Sequence, residues 1–169
     1  MKYTCGIYLF DLQRDTFLAV HPTNVPINVW SVPKGLSDEN EDHLAAALRE
    51  FKEETSIDLR PLIDAGEMTI FRLPHQKYSK QHKTFVSFLV VSSNNCHYHN
   101  LHCDSMVTGE TDFGGFSDTK KYPFPEVDAF WWMPLDGSIH LHETQQANIT
   151  LIRQIVQSHK NEKNTHIRF

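Results

Sequence analysis

Between Gly35 and Ile57 the chain reads GLSDENEDHLAAALREFKEETSI, and this stretch restricts its possible folds more than any other. At about 100° per residue, Leu44, Leu48, Phe51 and Thr55 form an apolar stripe on a helix. Glu50, Glu53 and Glu54 gather on a neighbouring face. One face packs and the other carries like charges that cost roughly 0.2–0.5 kcal/mol per pair. A bound cation would remove that cost, and several hard oxygens suit Mg²⁺ or Mn²⁺. The alternative is an acidic helix face that is simply solvated. Asp38 or Asn40 can cap the helix, with Asp42 near its positive end. Ala45, Ala46 and Ala47 favour helix and leave room for close packing, as a rigid metal platform requires.

With Gly35, Glu41, Arg49, Glu50, Glu53 and Glu54 at their spacings, the stretch resembles the Nudix box: Gly, five residues, Glu, seven residues, then Arg-Glu-apolar-x-Glu-Glu-x-Gly-apolar. Phe51 and Ile57 fill the apolar slots, and Ser56 stands where the family has glycine. That glycine ends the helix at positive φ, which serine adopts only at some cost, so the following loop is expected to differ. Six fixed positions at set spacing form a specific signal.

The resemblance implies an α/β fold, the Nudix α/β/α sandwich with a mixed β-sheet between helices. It also implies metal-dependent hydrolysis of a nucleoside diphosphate linked to another moiety, with Mg²⁺ (or Mn²⁺) as cofactor. The metal set it implies is the backbone carbonyl of Gly35 with Glu50, Glu53 and Glu54, of which Glu50 and Glu54 are the main ligands. Glu53 is a third ligand or the general base, and Glu126 is the next candidate base. Arg49, grouped with Glu53, Glu54 and Glu126 as catalytic, is expected with Glu41 to brace the carboxylates and not to perform chemistry.

With 169 residues, 40% of them hydrophobic, the chain can bury one full core. A single domain over 1–160 and a polar C-terminal tail over 161–169 are expected. The net charge of −5 argues against stable nucleic-acid binding but allows a small nucleotide whose charge is met by metal. Cys5, Cys96 and Cys103 form no disulfide framework and fit a reducing compartment. The N-terminus turns polar too early for a signal peptide, and no apolar run approaches ~18 residues. A soluble, cytoplasmic monomer or homodimer without membrane contact is expected.

Along the chain, Tyr3–Phe10 and Phe17–Val20 read as a hairpin turning at Asp11–Asp15. Glu67–Leu73 and Thr84–Val91 read as strands joined by a loop made basic by His75, Lys77, Lys80, His82 and Lys83. Lys34, Lys80 and Lys83 are candidates to meet phosphate, and Tyr78 or Phe71 to stack on a base; solvated charges and core aromatics are the alternatives. Ser92–Pro125 lacks clear periodicity. Its Cys96, His97, His99, His102 and Cys103 match no zinc-site spacing and are expected to hold no metal. Glu126–Asp136 contains an aromatic strand ending at Pro134, and Glu143–His159 reads as an amphipathic helix. Glu126, Trp132 and Pro134-Leu135 resemble the family's ending.

Trp30, Pro33, Lys34 and Gly35, with the strand from Lys83 to Val90, look most like diadenosine polyphosphate and diphosphoinositol hydrolases. The tyrosine that marks the diadenosine group downstream of the box is absent. Alternatives are an ADP-ribose, NTP or RNA 5′-end pyrophosphohydrolase. A noncatalytic nucleotide-sensing module is a further alternative, although such modules typically lose box glutamates and none is missing here.

Overall fold

A strand buried on both faces reads as an unbroken apolar run, and in the computed structural model the run Cys5–Phe10 lies at the centre of the sheet. The structure describes residues 2–79, 82–94, 98, 100–109, 122–136 and 141–166, with backbone alone at 109, 122 and 163–166. Strand β1 (Lys2–Asp11) turns through Asp11–Asp15 into antiparallel β2 (Thr16–Pro22). The Asp11 side chain accepts the Gln13 amide at 2.8 Å, and Asp15 takes positive φ. Strand β3 (Lys34–Leu36) lies antiparallel on β1 and leads to helix α1 (His43–Thr55), which is followed by the short helix α2 (Arg60–Asp64).

Strand β4 (Met68–Arg72) is antiparallel to β6 (Lys83–Ser92), which also pairs with the two-residue β5 (Gln76–Lys77) and runs parallel to β1. A separate hairpin, β7 (Met106–Gly109) and β8 (Tyr122–Pro125), precedes β9 (Val127–Pro134), which is antiparallel to β2. The main sheet therefore runs β4-β6-β1-β2-β9, mixed as expected. Helices α3 (Glu143–Gln146) and α4 (Ile149–His166) close the chain.

Alternation along the central strands builds a core on each face. Cys5, Ile7 and Leu9 of β1 join Val86, Phe88 and Val90 of β6 under Ala47, Leu48 and Phe51 of α1. Tyr8 and Phe10 join Phe85, Leu89 and Val91 under Ile149, Ile152 and Val156 of α4. Each large apolar side chain so buried contributes roughly 1.5–3 kcal/mol, so both helices are fixed against the sheet. Among the described residues no helix is long and apolar enough to cross a membrane.

Several local expectations are corrected. Asp42, not Asp38 or Asn40, caps α1, accepting the Leu44 and Ala45 amides at 3.0 and 3.1 Å. The helix expected over Glu143–His159 is interrupted at Ala147–Asn148 and then runs on to His166, past the expected start of the tail. Asn148 breaks it because its side chain serves the sheet, donating to Ser87 Oγ at 3.1 Å and accepting from Gln76 at 3.1 Å. The stretch without periodicity contains the β7-β8 hairpin. Of the Cys/His cluster, Cys96, His97 and His99 lie outside the described residues, as does Lys80.

Candidate functional site

Helix α1 presents its carboxylates to the β3 segment, and burial separates them. Glu50 and Glu54 are 8% and 3% exposed, so the solvated-face alternative fails for both. The Glu53 side chain is 43% exposed. Glu54 Oε2 accepts the Lys34 backbone N–H at 3.1 Å. The Glu50 carboxylate lies over Gly35 so closely that a Cβ there would sit 1.9 Å from Oε2, which is why the position is glycine.

Arg49 ties this face together. Its Nε and Nη2 donate to Glu41 at 3.0 and 2.9 Å, a two-point pairing that fixes the guanidinium plane. Nη1 donates to Glu50 at 2.7 Å and lies 3.6 Å from Glu53, while Nη2 also reaches the Leu36 carbonyl at 3.0 Å. The Arg49 hydrogen bond holds the Glu41 carboxyl below its usual range, and the Glu41 bond raises the guanidinium pKa in return.

The buried pair behaves oppositely. Burial pushes Glu54 up to about 8; Lys34 opposes the shift, and Glu126 and Glu50 add to it. Burial also raises Glu50, with Arg49 opposing and Glu53 and Glu126 adding. Two carboxylates are thus held where their charge is costly, with a third from another part of the chain within electrostatic reach. Glu126, between β8 and β9, is fixed at both ends: its Oε2 accepts from Ser105 Oγ at 2.8 Å and its N–H donates to the Ser105 carbonyl at 3.0 Å.

Glu126 also lines a cleft of about 440 Å³ with Gly35, Lys34, Lys83, Tyr78, Trp30, His142 and Gln145. Lys34, Lys83 and Tyr78 therefore come together beside the carboxylate helix. Lys77 is exposed on β5. Phe71 packs against the core under α4, with its ring 6.0 Å from His159, and does not line this cleft.

Sequence reasoning named Trp30 in the entry motif without giving it a place in the cleft, and missed His142 and Gln145. His142 pairs its ring with Tyr78 at 5.2 Å, and Trp30 meets Trp131 edge-on at 5.4 Å. Gln145, fully buried, accepts the Val32 amide at 2.9 Å, donates to Ser31 Oγ at 3.0 Å and offers its carbonyl to the Tyr8 hydroxyl at 2.8 Å. The available signal was the pair Gln145 and Asn148, two amides one helical turn apart at the start of an apolar face.

The donor set fits a hard divalent ion. Among the described residues Glu54 meets a single backbone donor, which leaves carboxylate capacity that a cation would satisfy, and the Gly35 backbone lies against Glu50. Among the described residues no three carboxylate, imidazole or thiol groups converge as a cage. Mg²⁺ does not need one, since it is commonly held by one or two carboxylates, waters and substrate phosphates.

Comparison with known proteins bears on the family and the fold. An RNA pyrophosphohydrolase from Pelagibacter ubique is 37% identical over 70 residues, which are 41% of this chain and 44% of that protein, so the chain matches less than half the length of this relative. Among solved structures, a C. elegans Ap4A hydrolase superposes with a TM-score of 0.63 at 17% identity, covering 94% of this chain and 99% of the other. The NUDIX domain of Shewanella oneidensis NrtR, solved with ADP ribose, gives 0.61 at 18% identity over 91% of this chain and 87% of the other. At these identities the structures speak for the fold alone. The model of the NUDIX domain matches residues 2–155, nearly the whole chain and the entire helix just described, and the protein belongs to the Nudix family.

Proposed function

We propose that the protein is a metal-dependent pyrophosphohydrolase that cleaves a nucleoside diphosphate linked to another moiety, with dinucleoside polyphosphates as the favoured class. The observation that carries this reading is the buried Glu50–Glu54 pair beside a cleft lined by two lysines. Glu50 and Glu54 with the Gly35 carbonyl would be the main holders of Mg²⁺ or Mn²⁺, and the more exposed Glu53 would join them only by moving toward the ion. Bound there, the metal supplies charge shielding for the phosphates, a water of lowered pKa and stabilisation of the departing oxygen. Lys34 and Lys83 bind the phosphate chain, and Tyr78 offers a base an aromatic face. Glu126, held by Ser105 and lining the cleft, would take the proton of the attacking water in this reading; Glu53 is the other candidate for that role. Arg49 keeps the carboxylates in register while bearing none of the bond changes.

A second reading, removal of pyrophosphate from an RNA 5′ end, is favoured by the 37% identity to the RNA pyrophosphohydrolase. The same metal set would serve both, and the substrate would be a small nucleotide or a single RNA end. The test is a panel of diadenosine tetraphosphate, ADP-ribose, nucleoside triphosphates and 5′-triphosphorylated RNA, with Mg²⁺, Mn²⁺ or EDTA, and identification of products. Metal-dependent cleavage of diadenosine tetraphosphate ahead of the others is expected. Preference for the RNA end selects the second reading, and metal-independent or absent cleavage across the panel refutes both.

A further inference from the structure

The end of α1 departs from the family pattern at Ser56, and the structure gives that departure a use. Ser56 sits at φ 62°, ψ 14°, the left-handed conformation that glycine would adopt without strain. Its hydroxyl lies 2.9 Å from the His102 carbonyl and 2.8 Å from the Asp104 carboxylate, so its proton ties the helix end to a segment nearly fifty residues downstream. The Asp104 and Ser105 amides donate to the Glu53 carbonyl at 2.7 and 3.2 Å, satisfying a helix-terminal acceptor that would otherwise need water. Ser105 then continues the chain of contacts, donating its hydroxyl to Glu126 Oε2 at 2.8 Å and accepting the Glu126 amide on its carbonyl at 3.0 Å.

We propose that Ser56 and Ser105 are positioning residues that dock segment 102–105 on the end of α1 and thereby hold the Glu126 carboxylate toward the cleft. Glycine at 56 preserves the backbone turn but supplies no hydroxyl, so the box serine strengthens a link to Glu126 that a glycine could not make. The role assigned to Glu126 rests on the hydrolase reading above; the docking of the segment does not.

Two arms test this in the full-length protein. Hydrogen–deuterium exchange on the metal-free protein is expected to show faster exchange at 104–105 in Ser56→Gly while thermal stability is unchanged or raised, because the glycine relieves the left-handed strain. Unchanged exchange would overturn the docking role. In steady-state hydrolysis, Ser105→Ala is expected to lower kcat about tenfold with KM altered less than about twofold, the pattern of a group displaced from its working position. Ser105→Thr, which keeps the hydroxyl, is expected to restore most of the rate. Unchanged kcat in Ser105→Ala, or a loss that Ser105→Thr shares, overturns the positioning of Glu126. An inactive wild-type protein would refute the hydrolase reading instead, and the exchange arm would still decide the docking.

Discussion

Replacing Glu54 by glutamine is predicted to stabilise the metal-free protein at neutral pH while abolishing its turnover. In the unfolded chain this carboxyl ionises near its ordinary value of 4.5, whereas burial in the fold pushes it up to about 8. Between those pH values the folded chain binds more protons than the unfolded one, so stability falls as pH rises. Each unit is worth about 1.4 kcal/mol, so two units inside the window cost the metal-free wild type about 3 kcal/mol through Glu54. Glutamine has no proton to lose, and its oxygen can still accept the Lys34 amide. Urea denaturation in EDTA at pH 5.5 and pH 7.5 reads the difference. Wild type is expected to lose about 2–3 kcal/mol more than Glu54→Gln over that interval, and Mg²⁺ to restore the wild type alone. Turnover of Glu54→Gln should fall at least ~10²-fold, comparable to losing a major electrostatic contribution. Equal pH slopes in the two proteins, or full activity in the variant, would refute the assignment of Glu54 as a buried metal-seeking carboxylate.

Gly35→Ala brings a Cβ to 1.9 Å from Glu50 Oε2, the far end of a flexible side chain. Glu50 is buried and bonded to Arg49, so making room displaces it from that bond; denaturation should show a loss of about 1–3 kcal/mol while kcat falls at least ~10-fold. Lys83→Ala is predicted to raise KM several-fold more for a dinucleoside tetraphosphate than for ADP-ribose, with kcat little changed and the effect shrinking in salt. Equal KM changes for the two substrates would mean that Lys83 does not select for phosphate-chain length.

Much of this arrangement was legible in the sequence because it is local. The box fixes which side of α1 carries Glu50, Glu53 and Glu54, and a period of two in Cys5–Phe10 and Phe85–Val91 distributes side chains to two cores without knowledge of what covers them. The choice of Asp42 over Asp38 as cap was not legible, since both are good capping residues and the path of the preceding segment decides between them. The break at Asn148 depends on Ser87 and Gln76, contacts made across the sheet, and no periodicity in the helix itself announces it. The burial of Glu50 and Glu54 arises where the β3 backbone packs against them, and Ser105 gains its place because the end of α1 receives its amide. Tertiary contacts of this kind turned an acidic helix face into a differentiated set, with Glu54 enclosed, Glu53 exposed and Glu126 brought in from the far end of the chain.

The central claim is that Glu50 and Glu54 seat the divalent ion on which hydrolysis depends, and Mn²⁺ titration followed by electron paramagnetic resonance tests it without need of a substrate. The metal-free wild type is expected to bind Mn²⁺ stoichiometrically, to release it to Mg²⁺, and to lose that site in the Glu50→Gln, Glu54→Gln double variant while remaining folded. Undiminished, Mg²⁺-displaceable binding in the folded double variant would contradict the account.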